Sequence, residues 1–269
     1  MSPVIEVDSL VKRYKNNPTP AVNQINFSVE EGEFFAFLGP NGAGKTTTIS
    51  ILTTTLSKTS GTVRIAGYDI DSESRQVRES IGIIFQEPSL DRYLTAEENV
   101  RFHACMYGLY SYRPSFSMMP ATYRNQVKAL AEVVGIEDAL FRPVRKLSGG
   151  MKRKLEIVRS LIHNPHVLFL DEPSQGLDAV ARRNLWDYVS QIRRELGTTI
   201  FLTTHYIEEA EHVDRVCLIN KGHIALNCSP EEMKLSFETE SLEDAYIEFL
   251  HQDMDAASLD LVTQEGRLI

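Results

Sequence analysis

Gly39-Pro40-Asn41-Gly42-Ala43-Gly44-Lys45-Thr46-Thr47 is the stretch that decides the fold. It fits the pattern Gly-x-x-x-x-Gly-Lys-Ser/Thr, whose glycines let the backbone wrap around phosphates with its N–H groups turned inward. Glu33 to Leu38, just before it, is a continuous apolar run and predicts a buried strand. Lys45 to Leu56, just after, predicts a helix whose N-terminus adds the positive end of its dipole. Strand, glycine loop and helix together make a phosphate loop. Gly39 to Thr47 are therefore candidate ATP contacts, with Lys45 pairing the β- and γ-phosphates and the Thr46 hydroxyl ligating Mg²⁺.

Working outward, short β patterns at Val4–Val7 and Ile25–Val29 precede the loop, and Thr62–Ile65 and Ile81–Phe85 follow it. Ala96–Tyr107, Tyr123–Val134 and Leu147–His163 read as helices, with an irregular connection over Tyr110–Pro120. Strands at Val167–Leu170, Thr199–Thr203 and Arg215–Asn220 alternate with helices at Ala179–Leu196 and Ile207–Val213. Such alternation predicts an α/β fold with a mostly parallel sheet covered on both faces. Residues 88–165 read as a helical lobe inserted into that core. The expected division is an ATPase domain over 1–230 and an acidic extension over 231–269 with one short helix at Leu242–Leu250.

The 269 residues are 42% hydrophobic and 24% charged, enough apolar material for a core. The net charge of −9 argues against a general nucleic-acid binder. Three cysteines without a Cys-x-x-Cys pair argue against a disulfide framework or a zinc site. No apolar run approaches the roughly 20 residues of a membrane span, and the N-terminus lacks a signal-peptide pattern. Any membrane role must come through a partner.

Val167-Leu168-Phe169-Leu170-Asp171-Glu172 is an apolar strand ending in two carboxylates. Beside a phosphate loop, Asp171 suits Mg²⁺ and Glu172 suits a general base that polarises the attacking water.

Further motifs then identify a family. Leu147-Ser148-Gly149-Gly150-Met151 resembles the signature motif of ATP-binding cassette (ABC) proteins. Asp171 to Asp178, read Asp-Glu-Pro-Ser-Gln-Gly-Leu-Asp, resembles their Walker B and D-loop. Gln86 matches the Q-loop, His205 the switch histidine and Tyr14 the adenine-stacking aromatic. The resemblance runs to about Ser229 and implies a P-loop NTPase of ABC type, with an N-terminal antiparallel β subdomain and an inserted α-helical subdomain. It also implies roles. Gln86 and His205 join Lys45 and Glu172 in catalysis, Gln86 also reaches the metal, and Tyr14 stacks on the base. Ser148, Gly149, Gly150 and Asp178 serve a nucleotide shared with a second ATP-binding subunit, identical or homologous. Met151 departs from the usual Gln. The surrounding Lys152, Arg153, Lys154 and Arg159 read as a solvated helix face.

In this family such chains power a transmembrane permease from the cytoplasmic face of the membrane. Pro88–Asn99, Thr203–Glu211 and Ser241–Ile247 are similar to drug exporters of the daunorubicin-resistance type, whose permeases are of the ABC-2 type. An importer or ion exporter, a soluble ABC ATPase and a nucleotide-gated scaffold are the alternatives. The soluble class usually shows a coiled coil or two cassettes in tandem, and the scaffold should lack catalytic residues.

Overall fold

The computed structural model describes residues 3–15, 17–85, 89–175 and 179–251. The chain opens with β1 (Pro3–Lys12), β2 (Val22–Glu30) and β3 (Phe34–Leu38), then the phosphate loop and α1 (Lys45–Leu52). β4 (Ser60–Ile65), β5 (Tyr68–Asp69), α2 (Ser74–Ser80) and β6 (Ile81–Ile84) follow. Next come α3 (Ala96–Met106), α4 (Ala121–Val134) and α5 (Gly149–Leu161). β7 (Val167–Asp171), α6 (Ala179–Leu196), β8 (Thr199–Thr204), β9 (Arg215–Asn220), β10 (His223–Cys228), α7 (Pro230–Ser236) and a helix over 242–251, α8, complete the order.

Two sheets form. One is antiparallel in the order β2-β1-β4-β5; the other runs β10-β9-β3-β8-β7-β6 and is parallel from β9 to β6. The parallel strands are apolar on both faces, so successive residues feed two different cores. Phe34, Ala36, Leu38, Leu168, Leu170, Ile200, Leu202, Val216 and Leu218 pack with the helical layer. Phe35, Phe37, Val167, Phe169, Phe201, Cys217 and Ile219 pack with α1 and the antiparallel sheet. On that second face Phe27, Phe35, Phe37, Phe169 and Phe201 form an aromatic cluster with centroids 5.2–6.1 Å apart. Burying each such ring contributes about 1.5–3 kcal/mol. β3 lies between β8 and β9 with every residue buried, which fixes the strand that launches the phosphate loop.

The helices begin where their sequences cap them. Thr95 and Glu98 form a capping box on α3, and Ser148 Oγ accepts from the Met151 N–H at the start of α5. Gly135 ends α4 in the left-handed region at φ 65°. α3, α4 and α5 pack on one another, and Met233, Leu242 and Ala245 join the same core. Part of the acidic tail thus packs onto the body. Among the described residues no helix is long and apolar enough to cross a membrane.

Several elements differ from expectation. α1 ends at Leu52 rather than Leu56, because the Thr53 and Thr55 hydroxyls bond back to the Ile49 and Ser50 carbonyls and Thr54 turns to φ 59°. The segment read as a helix over Ile207–Val213 is a 3-10 turn over Ile207–Ala210; beyond it, Asp214 accepts from the Phe34 N–H and draws the chain into β9. β10, α2 and α7 were not anticipated. β10 folds back through Lys221 and Gly222, both at positive φ, as a type I′ hairpin demands.

Candidate nucleotide site

The loop between β3 and α1 is a close-fitted backbone cradle. A Cβ at Gly39 would lie 2.2 Å from the Ile219 carbonyl oxygen, and one at Gly44 2.6 Å from that of Ala21, at a φ of +113°. Only glycine fits either position. Lys45 is buried and its ammonium curls back, donating to the Gly39 and Pro40 carbonyls at 2.6 and 3.1 Å. Burial lowers its pKa, opposed by the carboxylates of Glu172 and Asp171. Asn41, Gly42, Gly44, Lys45, Thr46 and Thr47 line a cleft with Ala21 and Glu172. Pro40 and Ala43 shape the turn, the Ala43 N–H donating to the Pro40 carbonyl at 3.2 Å. At the cleft edge, the exposed Tyr14 brings its hydroxyl 3.4 Å from Thr47 Oγ1.

β7 delivers the carboxylates. Asp171 is buried at the strand end, where Thr203 Oγ1 donates to Oδ1 at 2.5 Å. Burial raises its pKa, opposed by that hydrogen bond and by the charges of Lys45 and Arg153, while Glu172 adds to the rise. Glu172 follows at a φ of 44°. Left-handed backbone at a non-glycine residue stores strain, as at many functional sites. Its Oε1 lies 3.8 Å from Lys45 Nζ, and its Oε2 lies 3.3 Å from His205 Nδ1, outside hydrogen-bond geometry. Glu172, Pro173, Ser174 and Gln175 form a turn closed by the Gln175 N–H on the Glu172 carbonyl at 3.2 Å. The exits of β3, β7 and β8 thus bring Lys45, Asp171, Glu172 and His205 together.

The site suits a triphosphate with a hard cation. The cradle admits no side chain at two of its glycines, an ammonium and a helix N-terminus face it, and the hydroxyl of Thr46 and carboxyl of Asp171 are oxygen ligands of the kind Mg²⁺ takes. Among the described residues no group of three or more His, Cys, Asp or Glu could hold a metal by itself.

Ser148, Gly149 and Gly150 lie elsewhere, at the start of α5, where Ser148 and Gly150 line a groove with Asn184, Leu185 and Tyr188. Gln86 and Asp178 lie outside the described residues. The solvated-face reading of the α5 basics is corrected at two of them. Arg153 is buried, donates to the Phe85 carbonyl at 2.7 Å and pairs with buried Glu156 at 2.9 Å. Arg159 donates to the Ser89 carbonyl and hydroxyl, both at 2.6 Å, and Glu156 Oε1 accepts from the Ser89 N–H. Helical spacing puts Arg153, Glu156 and Arg159 on one face of α5, which carries them all to the chain on either side of residues 86–88. Thr203 and Glu209 lie within the Thr203–Glu211 segment but were given no role, since only the fold brings them to Asp171 and Ser174.

The ABC transporter family profile matches residues 22–175, more than half of the chain. The chain is 38% identical over 233 residues to the Nod factor export ATP-binding protein I of Ralstonia nicotianae, covering 86% of this chain and 69% of that one. It is 39% identical over 233 residues to the daunorubicin/doxorubicin resistance ATP-binding protein DrrA of Streptomyces peucetius, covering 86% and 67%. The probable multidrug ABC transporter ATP-binding protein YbhF of Escherichia coli is 33% identical over 253 residues, covering 92% of this chain but only 42% of its own, so the chain spans less than half of that relative. Among solved structures, cbiO1 from Clostridium perfringens, part of the transporter complex cbiONQ, superposes with a TM-score of 0.76 at 30% identity, covering 87% of this chain and 92% of that one. A dimeric post-hydrolysis state of the cassette MJ0796 with ADP and Pi gives 0.72 at 26% identity, covering 84% and 98%. With its cradle, strand-end carboxylates and parallel sheet alike in place, the chain belongs to the ABC transporter family and carries that family's ATPase domain.

Proposed function

We propose that this chain is the ATP-hydrolysing motor of a membrane exporter, acting as a pair of cassettes closed around two ATP molecules. The convergence of Lys45, Asp171, Glu172 and His205 at the exits of three adjacent strands carries the reading. Tyr14 stacks on the adenine, and Gly39 to Thr47 hold the phosphates. The Lys45 ammonium turns from the Gly39 and Pro40 carbonyls to the β- and γ-phosphates. Thr46, Asp171 and Gln86 would hold Mg²⁺, which would supply charge neutralisation at the phosphates. Glu172 takes a proton from water as the water oxygen bonds the γ-phosphorus. The bond to the β–γ bridging oxygen breaks, releasing ADP and phosphate. His205 holds Glu172 and the water in line.

The glycines of α5 support the paired arrangement. A Cβ at Gly149 or Gly150 meets nothing within 4 Å, and neither residue needs a left-handed φ. Glycine in a helix costs roughly 0.5–1 kcal/mol against alanine, so this chain's own packing gives no reason for them. Bare backbone and the Ser148 hydroxyl at a helix N-terminus suit the γ-phosphate of a second chain, and Asp178, which lies outside the described residues, would serve the same nucleotide.

The permease partner is of the ABC-2 type, and the chain works at the cytoplasmic face of the membrane. Relatives named for daunorubicin resistance and Nod factor export favour export of a drug, lipid or other amphipathic compound. Within the reading, residues 1–230 are the ATPase domain, about 88–165 its inserted helical part, and 231–269 an acidic extension. Exposed Met106, Tyr112 and Met118 on the helical part suit a permease contact.

The test is Glu172→Gln in the complex with its permease. ATP binding should persist while turnover falls at least the roughly 10²-fold typical of a lost general base. Near-normal ATPase would refute the assignment.

A further inference from the structure

Glu172 and His205 stand on separate segments, the exits of β7 and β8, and catalysis by the pair depends on their alignment. One buried carboxylate touches both segments. Glu209, in the 3-10 turn after β8, is only 5% exposed. Its Oε1 accepts a hydrogen bond from the hydroxyl of Ser174, which is 1% exposed. Ser174 is the third residue of the turn that begins at Glu172 and is closed by the Gln175 N–H on the Glu172 carbonyl. Glu209 therefore holds the far side of the turn that sets the left-handed backbone of Glu172.

The other contact runs toward His205. Burial pushes the Glu209 carboxyl up, and the hydrogen bond from Ser174 and the nearby Thr204 hydroxyl oppose the rise, as do the charges of Arg182 and His205. Thr204 Oγ1 also accepts from the Tyr206 N–H at 2.9 Å, bridging across His205. The Glu209 N–H donates to the Tyr206 carbonyl at 3.3 Å, so the carboxylate belongs to the turn that leaves His205. Arg182 sits 5.0 Å from the Tyr206 ring centroid, which lies 4.1 Å from that of the His205 ring at a tilt of 38°.

We infer that Glu209 is a positioning residue that fixes Glu172 and His205 relative to each other, its carboxylate binding the Ser174 hydroxyl while its backbone lies in the turn that leaves His205. It touches no substrate. A buried carboxylate that accepts from a buried hydroxyl makes a stiff tie, because charge-assisted hydrogen bonds are about twice as strong as neutral ones. A misplacement of about 1 Å in a catalytic group costs on the order of 10²-fold in rate. The inference rests on the proposed roles of Glu172 and His205.

Two measurements test it. In the chain alone, with ¹³C-labelled histidine, Glu209→Ala should shift and broaden the His205 ring resonances and leave those of His223, on β10, in place. Unchanged His205 resonances would overturn the tie whether or not the chain is an ATPase. In the permease complex, Glu209→Ala should lower kcat for ATP about 10- to 100-fold with KM within about 2-fold of wild type. Glu209→Gln keeps an acceptor oxygen for Ser174 and should recover most of the rate. The double variant Ser174→Ala/Glu209→Ala should be no slower than the slower single one. Equal losses in Glu209→Gln and Glu209→Ala, a parallel rise in KM, or losses that multiply in the double variant would each overturn it. Wild-type turnover in the same assay tests the ATPase reading separately.

Discussion

The Thr203 hydroxyl donates to Asp171 Oδ1 at 2.5 Å, linking the end of β8 to the carboxylate at the end of β7. This bond makes a charged Asp171 tolerable in a buried position. Thr203→Val should destabilise the chain by about 1–3 kcal/mol at pH 7.5, the cost of leaving a buried acceptor unsatisfied. The pH dependence has a definite sign. The folded pKa of Asp171 is raised above its usual 3.8, so its stabilising contribution is full below 3.8 and is lost as pH rises through the folded value. The variant raises that value further. Its deficit in urea unfolding should therefore be largest near neutral pH and shrink as Asp171 protonates; a deficit constant with pH would count against this account.

Arg153 and Glu156 are a buried pair on α5. Arg153→Leu should cost about 3–5 kcal/mol, because it strands the Glu156 carboxylate. Replacing both with leucine should recover much of the loss, since apolar pairs of similar volume often substitute for buried ion pairs. Equilibrium unfolding of the single and double variants provides the check.

Gly149→Ala and Gly150→Ala separate stability from turnover. Neither methyl meets a neighbour within 4 Å. Each variant should be as stable as wild type or up to about 1 kcal/mol more so, through helix propensity. Steady-state ATPase of the assembled complex should fall at least about 10-fold if the bare backbone faces phosphate. Unchanged turnover would remove the support these glycines lend to a shared site.

His103 offers a second pH handle. Its ring packs 4.5 Å from that of Tyr107 and 5.8 Å from that of His163, and burial, aided by the charges of Arg159 and His163, holds its pKa down to about 3. The folded state resists the proton that the unfolded chain accepts near 6.5. Stability from a neutral His103 is present above 6.5 and is lost as pH falls toward 3. His103→Phe should flatten the stability profile over that range, by at least about 1 kcal/mol between pH 7 and pH 5. Thermal melts across the range read it directly.

How much of this was legible in the sequence follows from the reach of each signal. β3, the glycine loop and α1 are contiguous, so a local pattern names them. The strand-end carboxylates Asp171 and Glu172 stand out because a fully apolar run ends on them. Arg153 and Arg159 were misread because a basic helix looks solvated until the carbonyls it meets are known, and Phe85 and Ser89 lie some seventy residues earlier in the chain. β10 was missed because its half-exposed alternation on a sheet edge is weak and Lys221-Gly222 is a less telling turn than Asn-Gly. Glu209 sits among acidic neighbours, and only the fold distinguishes it from exposed Glu208. The expectations for Gln86 and Asp178 fall outside the described residues.

α5 is pinned along its length. His163, just past its end, contacts the Ile81 carbonyl at 2.8 Å; Arg159 and Glu156 hold Ser89, and Arg153 holds Phe85. The free end is the one that carries Ser148. A helix of this size is about 20 Å long, so α5 has the form of a lever with its fulcrum at its far end, where His163 meets the Ile81 carbonyl. Tilting it by about 10° sweeps Ser148 through roughly 3 Å, by the same rise per residue, and drags both flanks of residues 86–88 with it. Load applied at one end of this rod is felt at the other without any bond being made or broken between them.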